Sequence, residues 1–147
     1  MDLHSTIRKI LKEETQEPKI LSFPSLEFFD EDPEIAWDII QKILERKGNP
    51  PYSIEGDLDL RDTPIESLGN LQSVGGTLDL EETPIKSLGN LQSVGKSLFL
   101  RGTPIESLGN LQSVGNSLWV DNTPILKKYT EKQIRQMVNV GGKIYLY

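Results

Sequence analysis

The apolar residues between positions 58 and 147 follow a fixed pattern along the chain. Four short segments, LDLRD, LDLEE, LFLRG and LWVDN, begin 20 residues apart at positions 58, 78, 98 and 118, and apolar residues alternate with other residues in each. This alternation is typical of a strand that buries one face. Between these segments the thirteen-residue block TPIESLGNLQSVG starts at Thr63 and returns at Thr83 and Thr103 with one position changed. The sequence therefore predicts a solenoid whose rungs stack on one another.

Each rung has further apolar residues on the path that leads back from its strand. In the first copy these residues are Ile65, Leu68, Leu71 and Val74. Their spacing of three predicts a short helical or 3₁₀-like return. A threonine also stands where the chain leaves each strand, and we expect its hydroxyl to bond backbone groups of the turn. This column consists of Thr63, Thr83, Thr103 and Thr123.

The same frame continues to the C-terminal end of the chain. The segment VGGKIYLY at 140 to 147 matches VGGTLDL at 74 to 80, so a fifth strand is expected at 144 to 146. The rung before this strand is longer, and Ile134, Met137 and Val138 give it the spacing of a helix within residues 130 to 138. The sequence thus predicts five parallel strands near residues 58, 78, 98, 118 and 144, with a helix in the last rung.

A helix is predicted before the first repeat, over residues 33 to 48. Asp32 is expected to cap it, Pro33 suits its first position, and Gly48 ends it. Its apolar face would cover the exposed end of the solenoid, because terminal rungs need such caps. That face consists of Ile35, Ile39, Ile40, Ile43 and Leu44, with Trp37 near its edge. We therefore assign residues 33 to 147 to one solenoid, with the cap at 33 to 48 and the repeats and C-terminal rung at 54 to 147.

Residues 1 to 32 form a separate N-terminal part in this interpretation. Leu3, Ile7, Ile10 and Leu11 lie on one face of a helix predicted over residues 2 to 15. The following stretch is apolar but has no period, and prolines at 18 and 24 exclude a regular helix. We expect an amphipathic helix joined to the solenoid by a connector punctuated by proline.

The repeat pattern L-x-L-x-x-T-x-I-x-x-L-x-x-L-x-x-V resembles the leucine-rich repeat over residues 52 to 147, with threonine where that family often has asparagine. The resemblance implies an α/β solenoid of right-handed form, whose five-stranded parallel sheet carries a partner site on its concave face. It implies no catalysis. The V-G-G-x-L-x-L segment is also similar to repeats of the receptor L-domain type, which leaves open a second strand in the return.

Composition and charge exclude several classes of partner. The net charge of -6 and pI near 4.8 argue against nucleic acid and anionic membranes, because both select clustered Lys and Arg. The absence of cysteine excludes disulfides, thiolate nucleophiles and cysteine-based zinc sites. The N-terminus has no hydrophobic core of a secretion signal, so we expect a cytoplasmic protein. The sequence indicates no cofactor, no metal site and no catalytic residue.

The outward positions of the predicted sheet are the candidate site. Because side chains alternate along a strand, two columns should face solvent on adjoining rungs. The only aromatic residues between positions 53 and 124 are Phe99 and Trp119, and both fall in these columns. Exposed aromatic neighbours are the usual material of binding hot spots. The first column is Asp59, Asp79, Phe99, Trp119 and Tyr145; the second is Arg61, Glu81, Arg101, Asp121 and Tyr147.

These columns predict a non-enzymatic module that recognises another protein through this face. Two alternatives use the same chain differently. In the first, the aromatic and carboxylate residues bind or process a carbohydrate, with a sugar stacked on Trp119. In the second, the repeat is structural and self-associates, for example as a homodimer through the edge strand at the C-terminal end, where backbone groups are unpaired.

Overall fold

The computed structural model describes residues 3–7, 20–29 and 31–147. In this part of the chain, eleven short strands are arranged in two parallel sheets. Their bounds are β1 Leu21–Phe23, β2 Tyr52–Ile54, β3 Leu58–Asp59, β4 Leu71–Val74, β5 Leu78–Asp79, β6 Ser93–Val94, β7 Leu98–Phe99, β8 Ser113–Val114, β9 Leu118–Trp119, β10 Asn139–Val140 and β11 Ile144–Tyr145. The helices are α1 Pro33–Arg46 and α2 Glu131–Met137, and the 3₁₀ helices are Glu27–Phe29 and Pro124–Lys127.

The strands form a repeat solenoid in which each rung contributes one strand to each sheet. The five-stranded sheet has the order β11-β9-β7-β5-β3, and the six-stranded sheet has the order β1-β2-β4-β6-β8-β10. All neighbouring strands are parallel, and equivalent residues of successive repeats are paired, as Leu78 is with Leu98. The predicted strands near residues 58, 78, 98, 118 and 144 are the five members of the first sheet.

The predicted five-stranded sheet is present, and the return path carries a second, six-stranded sheet. The sequence left open a helical or 3₁₀-like return and a second strand, and the structure forms the strand: Leu71–Val74 pairs with its counterparts in the rungs on either side. The chain turns between the two strands of a rung, so Leu68 and Leu71 reach the core from successive sides of a bend. A spacing of three arises from such a bend as well as from a helix.

The leucines of both sheets form one hydrophobic core. In the inner rungs the side chains of Leu78, Leu80 and Leu98 are fully buried, and those of Leu71 and Val94 from the other sheet belong to the same cluster. Burying such a side chain stabilises the fold by about 2 kcal/mol. Each rung depends on its neighbours for this burial, which is the expected behaviour of a solenoid.

The hydroxyl groups of the threonine column form hydrogen bonds with the backbone of the turn, as the sequence predicts. Each hydroxyl donates to the backbone carbonyl three residues earlier, at 2.7 Å for Thr63, 2.8 Å for Thr83, 2.7 Å for Thr103 and 2.6 Å for Thr123. The side chains of Thr83 and Thr103 are almost fully buried, so these bonds satisfy carbonyl groups that water does not reach.

A column of glycines lets successive rungs approach closely along the six-stranded sheet. A Cβ atom at Gly75 would overlap the carbonyl oxygen of Glu55, and one at Gly95 would overlap that of Gly75. The same holds at Gly115 and Gly141, each against the glycine of the preceding rung. Real Cβ atoms do not come so near a backbone oxygen, so the spacing of the rungs requires glycine at these four positions.

The N-terminal end of the solenoid is covered by α1. Ala36, Trp37, Ile40, Ile43 and Leu44 are buried in it, whereas Ile35, predicted to face the core, is 46% exposed. Ile35 lies in the first turn of the helix, before the chain reaches the core. Asp32 occupies the capping position, but its side chain makes no capping hydrogen bond, in contrast to the prediction. Beyond Lys47 the helix ends at Gly48, which has a φ of 79°.

The N-terminal part is described only in sections. Residues 3–7 are helical, and Leu3 and Ile7 pack against the core, whereas the rest of the helix predicted over residues 2 to 15 lies outside the described residues. Within the predicted connector, Leu21–Phe23 is not irregular but pairs with Tyr52–Ile54 as the first strand of the six-stranded sheet. The division of the chain at residue 32 stays a prediction.

Candidate interaction surface

The five-stranded sheet presents one column of side chains at the second residue of each strand. Register pairs Asp59 with Asp79, Asp79 with Phe99, Phe99 with Trp119, and Trp119 with Tyr145. The leucine before each of the first four residues of this column is fully buried, so the column itself points away from the core. The sequence-predicted first column is thus a continuous line of adjacent side chains.

The three aromatic residues of this column form a stack. The ring centroids of Phe99 and Trp119 are 5.6 Å apart with an interplanar angle of 18°, and those of Trp119 and Tyr145 are 3.7 Å apart with an angle of 11°. Each ring is partly exposed. Tyr145 covers one face of the indole, and Phe99 lies along the other, more offset. The stack therefore presents ring edges to solvent, and the indole of Trp119 has no open face.

The other end of the same face is charged. Arg61 lies between two carboxylates of the first column, with Nη2 3.0 Å from Asp59 Oδ2 and Nε 3.6 Å from Asp79 Oδ2. Arg101 pairs with Asp121 at 3.4 Å, beside the aromatic stack. Both arginines are more than half exposed, so these ion pairs contribute little to stability, and their guanidinium groups are accessible to a partner.

The carboxylate of Asp79 is much less exposed than that of Asp59, because Asp79 is an inner member of the column. Its side chain is 15% exposed, against 51% for Asp59. Burial raises the pKa of Asp79 from 3.8 to about 6. The hydrogen bond from Glu81 N–H and the charge of Arg61 oppose this rise, and the carboxylates of Glu81 and Asp59 add to it. The charge of this surface therefore changes between pH 5 and 7.

In the second column, one of the two carboxylate oxygens of Asp121 lacks a hydrogen-bond partner. Its side chain is 15% exposed, and the Oδ1 atom is buried without a hydrogen-bond partner, whereas Oδ2 faces Arg101 Nε at 3.4 Å. A buried acceptor without a partner costs about 1–3 kcal/mol. Sequence reasoning placed Asp121 in the outward column but gave no sign that one of its oxygens is buried.

The structure brings most of the predicted residues into one surface and leaves one apart. Glu81 and Arg101 lie in the turns that follow β5 and β7, beyond the strand residues Asp79 and Phe99, so the second column continues past the ends of the strands. Tyr147 continues the second column in sequence, but its side chain is fully exposed at the end of the chain. Sequence reasoning missed Arg135, which reaches the last rung from α2 through contacts that no local spacing indicates.

In the described part of the chain, no group of three or more His, Asp or Glu side chains is arranged to hold a metal ion. Over the same residues, no helix is both long and apolar enough to cross a bilayer. The chain matches no family model, and it has no significant match among curated proteins or among solved structures. Any assignment of function therefore depends on the surface itself.

Proposed function

We propose that this chain is a non-enzymatic module of leucine-rich-repeat type, a right-handed solenoid that binds another protein through the outward face of its five-stranded sheet. The observation that carries this proposal is the stack of Phe99, Trp119 and Tyr145, partly exposed on a face whose other residues are charged. Burying such rings against a partner removes apolar surface from water, and exposed aromatic and arginine side chains are enriched at hot spots.

The composition of the face supports a protein partner. Arg61 and Arg101 flank the column with exposed guanidinium groups that can pair with carboxylates. Aromatic and arginine residues are enriched at protein interfaces. The face of a sheet also suits a broad contact better than a small molecule, which needs a concave pocket.

The geometry of the rings argues against a sugar stacked on Trp119. Such a sugar needs one open ring face, and the indole has neighbouring rings on both sides. A sugar would have to stack on the outer face of Tyr145, at the end of the stack. A protein partner makes no such demand, because it can pack apolar side chains against the ring edges.

The face can be tested by photo-crosslinking from two positions of the full chain. A photoreactive phenylalanine analogue at Arg101, which is exposed beside the stack, should crosslink a partner in extracts of the native host. The same analogue at Gln92, exposed on the six-stranded sheet, should not. Crosslinks that form from Gln92 and not from Arg101 would place the interface on the opposite sheet.

Once a partner protein has been identified, Trp119→Ala should weaken the binding of that partner by about 2 kcal/mol or more. Loss of the stack also removes contacts with Phe99 and Tyr145, so thermal unfolding must show that the variant is folded at the assay temperature. Gln112→Ala, in the neighbouring segment of the six-stranded sheet, is the matched control and should leave the affinity unchanged. Equal affinities for Trp119→Ala and the unchanged chain would contradict the proposal.

A further inference from the structure

The two sheets end differently at the C-terminal rung. Within the six-stranded sheet, Val114 O and Asn116 O accept hydrogen bonds of 2.9 and 2.7 Å from N–H groups of the next rung. The equivalent carbonyls of the rung that contains β10 are those of Val140 and Gly142. The guanidinium of Arg135 donates to both, at 3.3 and 3.0 Å. Arg135 thus takes the place of the missing N–H groups and closes this edge.

Among the residues that the structure describes, none closes the five-stranded sheet at β11 in this way. The carbonyl oxygens of Lys143 and Tyr145 point back toward β9 and accept its N–H groups at 2.9 Å. The two ends of a trans peptide unit point in opposite directions. The N–H groups of Ile144 and Leu146 therefore point outward, and no described residue accepts a hydrogen bond from them. This edge can take another strand.

A groove of about 280 Å³ lies along this open edge. The groove is lined by residues 143 to 147 together with Glu131 and Arg135 of α2. One face of the Tyr145 ring is covered by Trp119 at 3.7 Å, and the other face points away from β9, at the open end of the aromatic stack. A planar side chain placed in the groove would extend the stack by one ring.

The charge of this end differs from that of the first repeats. Residues 123 to 147 contain five Lys or Arg residues and one Glu, whereas residues 54 to 82 contain one Arg and eight Asp or Glu residues. Lys143 lies in the lining of the groove, next to the open backbone groups. Charge complementarity therefore favours a segment that carries a carboxylate.

We propose that the β11 edge is a strand-addition site for an extended, acidic segment of a partner protein that carries a planar side chain. The segment's carbonyls accept the N–H groups of Ile144 and Leu146, its ring stacks on Tyr145, and its carboxylate pairs with Lys143. Arg135 confines the addition to one sheet. This site shares Tyr145 with the face of the sheet, but its hydrogen-bonding groups are the backbone N–H groups of the edge, so the two proposals are tested by different variants.

The probe is a dye-labelled peptide with the sequence GNSLWVDN, which is residues 115 to 122 of this chain with blocked ends. It carries the apolar alternation, a tryptophan and an aspartate. Fluorescence anisotropy with the full chain should show saturable binding. Leu146→Pro removes the outward N–H without removing a ladder bond, and we expect it to weaken binding at least tenfold. Leu146→Ala, which keeps the N–H, should change the affinity by less than threefold.

Two further variants separate this proposal from the others. Lys143→Glu should weaken binding of the peptide at least fivefold at low salt, and a peptide with lysine in place of its aspartate should bind this variant better than the original peptide does. Gln92→Ala, exposed and outside both the edge and the sheet face, is the control and should leave peptide binding unchanged. Circular dichroism of each variant must match that of the unchanged chain.

The proposal is overturned if the peptide does not bind, or if Leu146→Pro binds it as well as Leu146→Ala does. Sedimentation of the full chain tests whether a second copy of this chain, and not a partner protein, occupies the β11 edge. A dimer at micromolar concentration that Leu146→Pro dissociates would assign the edge to self-association instead.

Discussion

At the scale of single residues, the position of a side chain in its column decides its chemistry. Asp59 and Asp79 have the same residue type and the same place in consecutive repeats, yet the first is half exposed and the second is 15% exposed. Asp79 has a strand on either side, whereas Asp59 is in the first strand of its sheet. Sequence reasoning identified both carboxylates but could not rank them, because burial depends on what the neighbouring rungs place beside them.

This difference predicts that Asp79 makes the stability of the fold depend on pH. Its pKa in the folded state, about 6, lies above the ordinary value of 3.8, so the folded state binds more protons than the unfolded state between these values. The free energy of unfolding should therefore decrease as the pH rises from about 4 to 6 through this group, and the loss should be complete at pH 7.

Asp79→Asn removes this contribution, because asparagine keeps the acceptor for Glu81 N–H and carries no charge. In urea unfolding, the variant should gain stability relative to the unchanged chain as the pH rises from 4 to 7. Lys96→Ala, exposed and outside this column, is the control and should leave the pH dependence of the unchanged chain as it is. A difference between Asp79→Asn and the unchanged chain that stays constant from pH 4 to 7 would exclude the effect.

At the scale of the elements, rung spacing depends on the column of glycines as much as on the leucines. The repeat itself predicted the strands of the five-stranded sheet and the inward leucines. It did not predict why glycine recurs at 75, 95, 115 and 141, because none of these residues has the positive φ that usually requires glycine. The requirement arises between rungs, where a Cβ would meet a backbone oxygen.

Gly95→Ala should therefore destabilise the fold by roughly 1–3 kcal/mol, as overpacking does elsewhere. The added methyl group would overlap Gly75 O, which is backbone and cannot move without shifting a rung. Lys96→Ala, at the next residue and exposed, is the matched control and should stay within about 0.5 kcal/mol. Chemical unfolding measures both. Equal free energies of unfolding for the two variants would mean that the rungs can move apart to accept the methyl group without loss of stability.

The second sheet shows where a periodic sequence is ambiguous. Leu68, Leu71 and Val74 recur at every third residue, which fits a 3₁₀ return and also a bend followed by a strand. The structure forms the bend, since Gly69 has a φ of 60° and Leu71–Val74 is extended. The helix in the last rung was predicted from the spacing of Ile134, Met137 and Val138, and the structure adds a capping box of Thr130 and Gln133 at its start.

At the scale of the whole molecule, contacts run between neighbouring rungs, and different groups cover the first and the last described rungs. At the start, α1 covers the core, and at the end, Arg135 bonds the last carbonyls of one sheet. The covering helix could be predicted, because an amphipathic segment precedes the repeats. The hydrogen bonds of Arg135 could not be predicted, because they depend on how far one side chain reaches from α2.

Because the rungs are equivalent, the chain should tolerate the loss of a whole repeat. Deletion of residues 83 to 102 joins Glu82 to Thr103 and brings β5 next to β9 with every inward leucine in register. The shortened chain should unfold cooperatively, with a lower urea midpoint and a smaller m-value, because less surface is exposed on unfolding.

A deletion of residues 79 to 97 joins Leu78 to Leu98, leaves one extra residue inside a strand, and is the control for this experiment. A one-residue slip within a strand turns inward side chains outward, so this variant should lose cooperative unfolding. Circular dichroism during urea titration distinguishes the two outcomes. Identical curves for both deletions would show that the register between rungs is not fixed.

The near identity of the repeated blocks has a consequence for inheritance. A duplication or deletion of a complete 20-residue unit keeps every inward leucine in register, whereas a shift by one residue within a strand does not. The solenoid can therefore be inherited at different lengths only in steps of one whole rung, and each step changes the area of its outward face by one row of side chains.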